Sequence, residues 1–120
     1  MTREDYCSFE LSKLLKEKGF DEYCRCYYFS ENNERYYANE VPRNNHKLDA
    51  DLACPTHEMA MKWLREKDVD IIIMPLFKLK EGRIYCYEIH SDNTDVRFGQ
   101  FETYEEAVEA ALKYSLEKLI

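Results

Sequence analysis

Short polar turns join neighbouring strand signals in this chain, and they restrict its sheet more than any other feature of the sequence. Stretches rich in β-branched and aromatic residues occur at 23–29, 35–38, 70–79, 83–90 and 96–101. The loop at 30–33 joins the first two, Gly82 closes a turn between the next two, and the polar turn at 91–94 precedes the last. Strands joined by loops of this length pair side by side and antiparallel.

Helical periodicity appears three times, at 8–18, 57–67 and 103–119. Gly19 follows the first segment and suits the left-handed residue that often ends a helix. Thr56 is the predicted N-cap of the second segment. Thr103 and Glu106 form a capping box at the start of the third, and Glu109 there is predicted to be exposed and paired with a lysine one turn away.

The order of these signals predicts an α+β fold in a single domain, residues 1–120. The order is α-ββ-α-βββ-α, with one antiparallel sheet of about five strands, made of a hairpin and a meander, and three helices on one face. Pro75 has no backbone N–H, so we expect the strand at 70–79 to be an edge strand or to be bulged there.

Acidic charge spread along the whole chain limits the partners that it can attract. The net charge is −7, and 34% of the residues are charged. Such a chain has no electrostatic reason to hold a phosphate backbone or an anionic membrane. Neither nucleic acid nor a membrane is therefore a predicted partner.

The cysteines and the first residues predict a cytoplasmic protein. The five cysteines are odd in number and have no framework spacing, which favours reduced, buried thiols. Residues 1–5 lead into an amphipathic segment rather than the apolar core of a signal peptide. The apolar run at 71–77 is too short to cross a bilayer.

A polar segment at 39–54 fits neither a helix nor a strand. Loops of this length within compact domains are often functional or mobile; a simple crossover from the hairpin to the second helix is the other interpretation. His46, Asp49 and Asp51 could ligate a cation there, although loop carboxylates are usually only solvated.

Cys54 and His57 are the candidate catalytic residues. A cysteine beside a helix N-terminus can have a lowered pKa, because the helix dipole favours the thiolate, and an imidazole nearby could act as a base. The local sequence supplies neither a group that orients the histidine nor donors for an oxyanion. The sequence therefore assigns no catalytic residue beyond these two candidates, and a structural role for both is the alternative interpretation.

No metal site or cofactor is predicted. Cys24 and Cys26, like Cys86 and His90, lack the spacing of zinc ligands, so core cysteines explain them more simply than zinc does. The three glycines lie far apart and form no phosphate-binding loop.

The aromatic hairpin is the candidate binding surface. Its predicted binding residues are Arg25, Tyr28, Arg35, Tyr36 and Tyr37. Aromatic rings with arginines can stack single-stranded bases, they can bury area against a protein partner, or they can simply pack beneath the helices. The acidic charge of the chain weighs against nucleic acid.

Residues 55–66 (PTHEMAMKWLRE) and 101–114 (FETYEEAVEAALKY) resemble a group of small, functionally uncharacterised proteins encoded by phages, prophages and other mobile elements of gut Bacteroidetes. The likeness extends over most of the chain and includes the order of its elements. Cys54 departs from it, since alanine is expected there. The resemblance implies a cytoplasmic accessory protein of a mobile element in a bacterial host cell, and it assigns no catalytic residue.

Together these patterns predict a non-enzymatic protein-binding module whose partner is a host or phage protein. The hairpin and the segment at 39–54 are its predicted contact surface. Two alternatives stay open: a thiol-dependent enzyme that uses Cys54 and His57, and a single-stranded nucleic-acid binder that uses the hairpin.

Overall fold

The computed structural model describes residues 5–29, 34–37, 52–78, 82–92 and 94–120, which form three α-helices and six strands. The helices are α1 (Phe9–Glu17), α2 (His57–Arg65) and α3 (Tyr104–Tyr114), and a π-helical turn, Ser115–Leu119, continues α3. The strands are β1 (Cys26–Tyr28), β2 (Arg35–Tyr37), β3 (Leu52–Ala53), β4 (Asp70–Lys78), β5 (Gly82–Ser91) and β6 (Thr94–Phe101). The α+β class and the order of elements are confirmed in outline, with β3 as an added strand.

The end of α1 and the starts of α2 and α3 lie at the predicted capping residues. Gly19, just after α1, has a φ of 100°, and the Thr56 side chain accepts a hydrogen bond from the backbone N–H of Met59. Thr103 and Glu106 satisfy each other's backbone N–H groups in a capping box. No helix within the described ranges is long and apolar enough to cross a membrane.

The described strands form two antiparallel sheets of three strands each, where the sequence predicted one sheet of about five strands. Their strand orders are β2-β1-β3 and β4-β5-β6. The added strand β3, at the end of the polar segment, pairs Leu52 with Tyr28. Short turns identify hairpin partners, but they do not determine whether two hairpins share a sheet.

The hairpin loop at 30–33 and the segment at 39–51, with its candidate ligands His46, Asp49 and Asp51, lie outside the described residues.

The β4-β5-β6 sheet has its irregularity away from Pro75. β4 is an edge strand, as the proline predicted, and it pairs with β5 in unbroken register. The register shifts instead between β5 and β6, beside Cys86. Gly99 lies directly against that cysteine, because a Cβ at position 99 would be 2.3 Å from the Cα of Cys86.

One hydrophobic core joins the helices to both sheets, and a smaller cluster lies on the other side of the β1–β2 hairpin. The larger core includes Leu15, Trp63, Leu64, Tyr87, Ile89, Val108, Leu112 and Leu116, together with Tyr27 and Tyr36 of the hairpin. The smaller cluster comprises Cys26, Tyr28, Leu52 and Cys54, with Tyr6 and Phe9 against it. The hairpin is therefore covered in part on both of its faces.

Candidate functional site

The hairpin divides the five predicted binding residues between the surface and the interior. Arg25, Arg35 and Tyr37 are exposed, whereas Tyr28 and Tyr36 are buried. Tyr36 stacks on Tyr27 with ring centroids 5.8 Å apart, and the Tyr28 hydroxyl donates a hydrogen bond of 2.7 Å to the Cys7 carbonyl. In this conformation, therefore, only three of the five residues can meet a partner.

Arg35 interacts with aromatic rings of its own chain. Its guanidinium lies 5.7 Å from the ring centroids of both Tyr6 and Tyr28, a cation–π geometry. A cavity of about 380 Å³ beside them is lined by Tyr6, Tyr23, Arg25, Cys54, Thr56 and Met59. The structure thus brings Arg25 and Cys54 to one cavity.

Cys54 lacks the surroundings of a nucleophile. It is completely buried, and its thiol donates to the Cys7 carbonyl at 3.4 Å. A hydrogen bond with the Cys26 thiol, together with burial, raises the pKa of Cys54 far above its usual range. The accessible, low-pKa thiol that the enzyme hypothesis requires is therefore not found at this position.

His57 is oriented by Glu109 of α3. The Nε2 atom of His57 lies 2.7 Å from the Oε2 atom of Glu109, and the His57 side chain is only 9% exposed. The same carboxylate oxygen accepts a hydrogen bond of 3.1 Å from the backbone N–H of Ser8. The group that orients the imidazole thus comes from a helix that is distant in sequence. Glu109 was predicted to be exposed and paired with a lysine, whereas in the structure it pairs with His57.

Cys7 completes what we call the Cys–His–Glu cluster: Cys7, His57 and Glu109. One ligand atom from each side chain lies within 4.8 Å of the other two. Cys7 is completely buried, and its thiol faces the Thr56 carbonyl at 3.9 Å. A thiol, an imidazole and a carboxylate therefore converge at one point beneath the surface.

Backbone hydrogen bonds fix the positions of two members of this cluster. The N–H of Cys7 donates to the Pro55 carbonyl, and the N–H of His57 donates to the Asp5 carbonyl, each at 2.9 Å. The segment before α1 is thereby attached to the segment before α2, so Cys7 and His57 lie side by side. Glu109 reaches them from the middle of α3.

The protonation preferences in the cluster differ between the thiol and the carboxyl. Burial opposes ionisation of Glu109, but hydrogen bonds from His57 and Ser8 outweigh it and lower the pKa of this carboxyl. Burial, and then the charge of Glu109, raise the pKa of Cys7 above its usual range. Without a cation the cluster therefore holds a carboxylate beside a neutral thiol, which is not a nucleophile.

Sequence reasoning identified His57 but neither of its partners. Cys7 carried no distinctive spacing, and Glu109 matched an ordinary exposed helix position. The three residues come from separate elements, and no local motif connects them. Only the tertiary fold could have identified the set.

A second feature is an apolar row on the β4-β5-β6 sheet. Ile71 and Ile73 face the core, so Ile72, Met74 and Leu76 alternate with them onto the opposite face. Ile72 is 45% exposed and Leu76 is 41% exposed. Across the ladder, Met74 and Leu76 pair with Cys86 and Ile84 of β5. We call this side of the sheet the open face. It carries Ile72 and Leu76, which are exposed, Met74, which is partly exposed, and Ile84 and Cys86, which are buried.

Charged side chains occupy one end of the open face. Glu88 pairs with Ile72 and Arg97 across the sheet, and it accepts a hydrogen bond of 2.9 Å from the Nε atom of Arg97. The Nδ1 atom of His90 lies 2.6 Å from the Oδ1 atom of Asp95, and its Nε2 atom lies 3.1 Å from the Oε1 atom of Glu88. The open face thus joins an apolar region to a polar border, the composition that protein interfaces share.

Comparison with known proteins gives no match to a family model, a curated protein or a solved structure. The cluster, the hairpin and the open face are therefore the features that bear on function.

Proposed function

We propose that this chain is a non-enzymatic protein-binding module whose partner, a host or phage protein, docks on the open face. The observation that carries this proposal is the exposure of Ile72 and Leu76 on β4, which pairs with β5 in unbroken register. The setting, a cytoplasmic accessory protein of a mobile element, follows from the sequence resemblance described above.

The sequence of β4 supports a covered open face. Strands covered on both faces are near-continuous hydrophobic runs, whereas strands covered on one face alternate with polar residues. Residues 71–77 (IIIMPLF) form such a continuous run, but among the described residues the core packs against Ile71 and Ile73 and not against Ile72 or Leu76. Ile72 and Leu76 are residue types found at buried positions, although here they are exposed. A bound partner would bury them.

The charges near the open face specify the chemistry of that partner. Asp70 and Asp95 are exposed, and Glu88 shares its carboxylate between Arg97 and His90. With a chain net charge of −7, this border attracts a basic surface. The partner that fits is a protein with an apolar patch flanked by lysine or arginine.

The hairpin offers a smaller competing surface. Arg25 and Tyr37 are exposed there, but Tyr28 and Tyr36 support the interior. We therefore assign the principal contact to the open face and treat the hairpin as the control surface in the experiment below.

A capture experiment with matched variants tests the assignment. Tagged wild-type protein, an open-face variant (Ile72→Ser with Leu76→Ser) and a hairpin variant (Arg25→Ala with Tyr37→Ala) are incubated with Bacteroidetes host lysate, with and without nuclease. Bound proteins are quantified by mass spectrometry, and the contact is mapped by cross-linking. Circular dichroism confirms that each variant is folded.

We expect the wild type and the hairpin variant to retain the same protein after nuclease treatment, and the open-face variant to lose it at least tenfold, about 1.4 kcal/mol. Equal retention by the open-face variant, or loss with the hairpin variant alone, would overturn the assignment. Recovery of nucleic acid alone would favour single-stranded nucleic-acid binding, and concentration-dependent self-association through Ile72 and Leu76 would identify a second copy as the occupant.

A further inference from the structure

We propose that the Cys–His–Glu cluster is a binding site for a transition-metal dication of the zinc class. Cys7, His57 and Glu109 supply the three donors, with one ligand atom from each within 4.8 Å of the others. This inference is independent of the proposed function, because the Cys–His–Glu cluster and the open face share no residue.

The donor set selects the class of metal. Zn²⁺ is bound by thiolate, imidazole and carboxylate donors, whereas Mg²⁺ and Ca²⁺ take oxygen ligands almost alone. Co²⁺ accepts the same donors as Zn²⁺ in tetrahedral sites. A thiol and an imidazole in one site therefore favour zinc over the alkaline-earth ions.

The separations of the donors are close to those that a tetrahedral ion needs. With zinc bonds of about 2.0–2.3 Å, neighbouring ligand atoms lie about 3.4–3.6 Å apart. The His57–Glu109 separation of 2.7 Å would widen by about 0.7 Å. The sulfur of Cys7, within 4.8 Å of the other donors, would move inward by at most about 1.2 Å. Side-chain rotation can supply shifts of this size.

Outer contacts already restrain the ligands. The Ser8 N–H donates to Glu109 at 3.1 Å, and the backbone bonds of Cys7 and His57 fix the chain on either side. Such contacts orient metal ligands and strengthen binding. The Glu109 carboxylate and the Cys7 thiolate would together carry two negative charges, which balance the charge of a dication.

A groove between α1 and α3 reaches the Glu109 side of the cluster. It has a volume of about 440 Å³, and Ser8 and Glu109 are among its lining residues. Glu109 is 31% exposed, while Cys7 is buried. An ion entering along this groove meets the carboxylate first. Binding then releases the proton of the Cys7 thiol to solvent, because the metal ligand is the thiolate.

Cobalt provides a direct test of the inner donors. The metal-free protein is titrated with Co²⁺ and then with Zn²⁺ while the absorption spectrum is recorded. We expect one ion per chain, tetrahedral d–d bands and a thiolate-to-cobalt charge-transfer band, all displaced by Zn²⁺. A spectrum without the charge-transfer band would show that Cys7 is not a ligand and would overturn the proposal.

Variants test whether the metal ion binds at this cluster or elsewhere on the protein. Glu109→Gln and Cys7→Ser should each weaken Zn²⁺ affinity at least tenfold, measured by competition with a chromophoric chelator. The control Cys86→Ser alters another buried cysteine and should leave affinity unchanged. Equal weakening by Cys86→Ser, or unchanged affinity in a folded Glu109→Gln, contradicts the assignment. If Cys7→Ser does not fold, the wild-type charge-transfer band decides the role of the thiol.

Discussion

The Nε2 atom of His57 lies 2.7 Å from the Oε2 atom of Glu109, although 52 positions separate the two residues along the chain. This contact joins the first residue of α2 to the middle of α3. The Ser8 N–H, at the start of α1, binds the same carboxylate. One half-buried carboxylate therefore connects the three helices, which gives it a structural function whether or not a metal is present.

Removing this carboxylate should destabilise the metal-free protein. In Glu109→Ala, the nearly buried imidazole of His57 and the Ser8 N–H both lose their acceptor. Hydrogen bonds to a charged group contribute about 1.5–3 kcal/mol each in protected settings, so we expect a loss of about 1–3 kcal/mol for this partly exposed residue. Urea unfolding in the presence of a chelator measures it. Glu117→Ala, an exposed glutamate nearby, is the control and should change stability by less than about 0.5 kcal/mol.

The helices were predictable because their signals are local. Thr56, Thr103 and Gly19 act within a few residues of their own positions, and each was identified from neighbouring residues alone. The division into two sheets was not predictable, since it depends on contacts between distant segments. The pairing of Leu52 with Tyr28 shows why, because two residues at the end of a polar segment gave no strand pattern.

The candidate sites were less predictable than the fold. The hairpin sequence showed its aromatic residues but not which ones face inward, since both sides of the hairpin meet other elements. The partners of His57 come from positions 7 and 109, so no spacing rule connects them. The apolar run of β4 was visible in the sequence, but the exposure of Ile72 and Leu76 depends on which face the helices cover.

Gly99→Ala should be much more destabilising than Gly82→Ala. A Cβ at position 99 would lie 2.3 Å from the Cα of Cys86, so the backbone must move. Gly82 has a φ of 74° but no atom within 4 Å of its Cβ position. We expect losses of about 2–3 kcal/mol at Gly99 and about 1 kcal/mol at Gly82. Thermal and urea unfolding compare them, and equal losses would contradict the close approach of β6 to Cys86.

Truncation to alanine should destabilise the protein much more at Leu112 than at Leu76. Leu112 is completely buried in the core, whereas Leu76 is 41% exposed on the open face. We expect Leu112→Ala to cost about 2–5 kcal/mol and Leu76→Ala less than about 1 kcal/mol. Urea unfolding of the isolated protein measures both. A large loss of stability in Leu76→Ala would show that this side chain stabilises the isolated protein and would contradict its assignment to a docking surface.

Glu88 should titrate below the ordinary range of a glutamate. Hydrogen bonds from Arg97 and then His90 lower its pKa from the usual 4.5. Because the folded-state pKa is below the unfolded value, its contribution to stability is present above the unfolded pKa and is lost as the pH falls through the folded one. NMR titration of the side-chain carboxyl carbon should give a midpoint below 4.5. Arg97→Gln should move this midpoint upward, and an unchanged midpoint would show that the Arg97 contact is not formed in solution.

Thiol labelling should be slow at all five cysteines of the native, metal-free protein. Each is buried, burial raises the pKa of Cys24 to about 12, and the hydrogen bond with Cys26 together with burial raises that of Cys54 further. The hydrogen bond with Cys54 lowers the pKa of Cys26, but that thiol is completely buried. Because the reagent must reach a thiolate, labelling at neutral pH requires opening of the fold. We expect rates that rise with urea in parallel with unfolding, followed by mass spectrometry. Rapid, selective labelling of Cys54 without denaturant would instead restore the thiol-enzyme hypothesis, since only an accessible thiolate could react in that way.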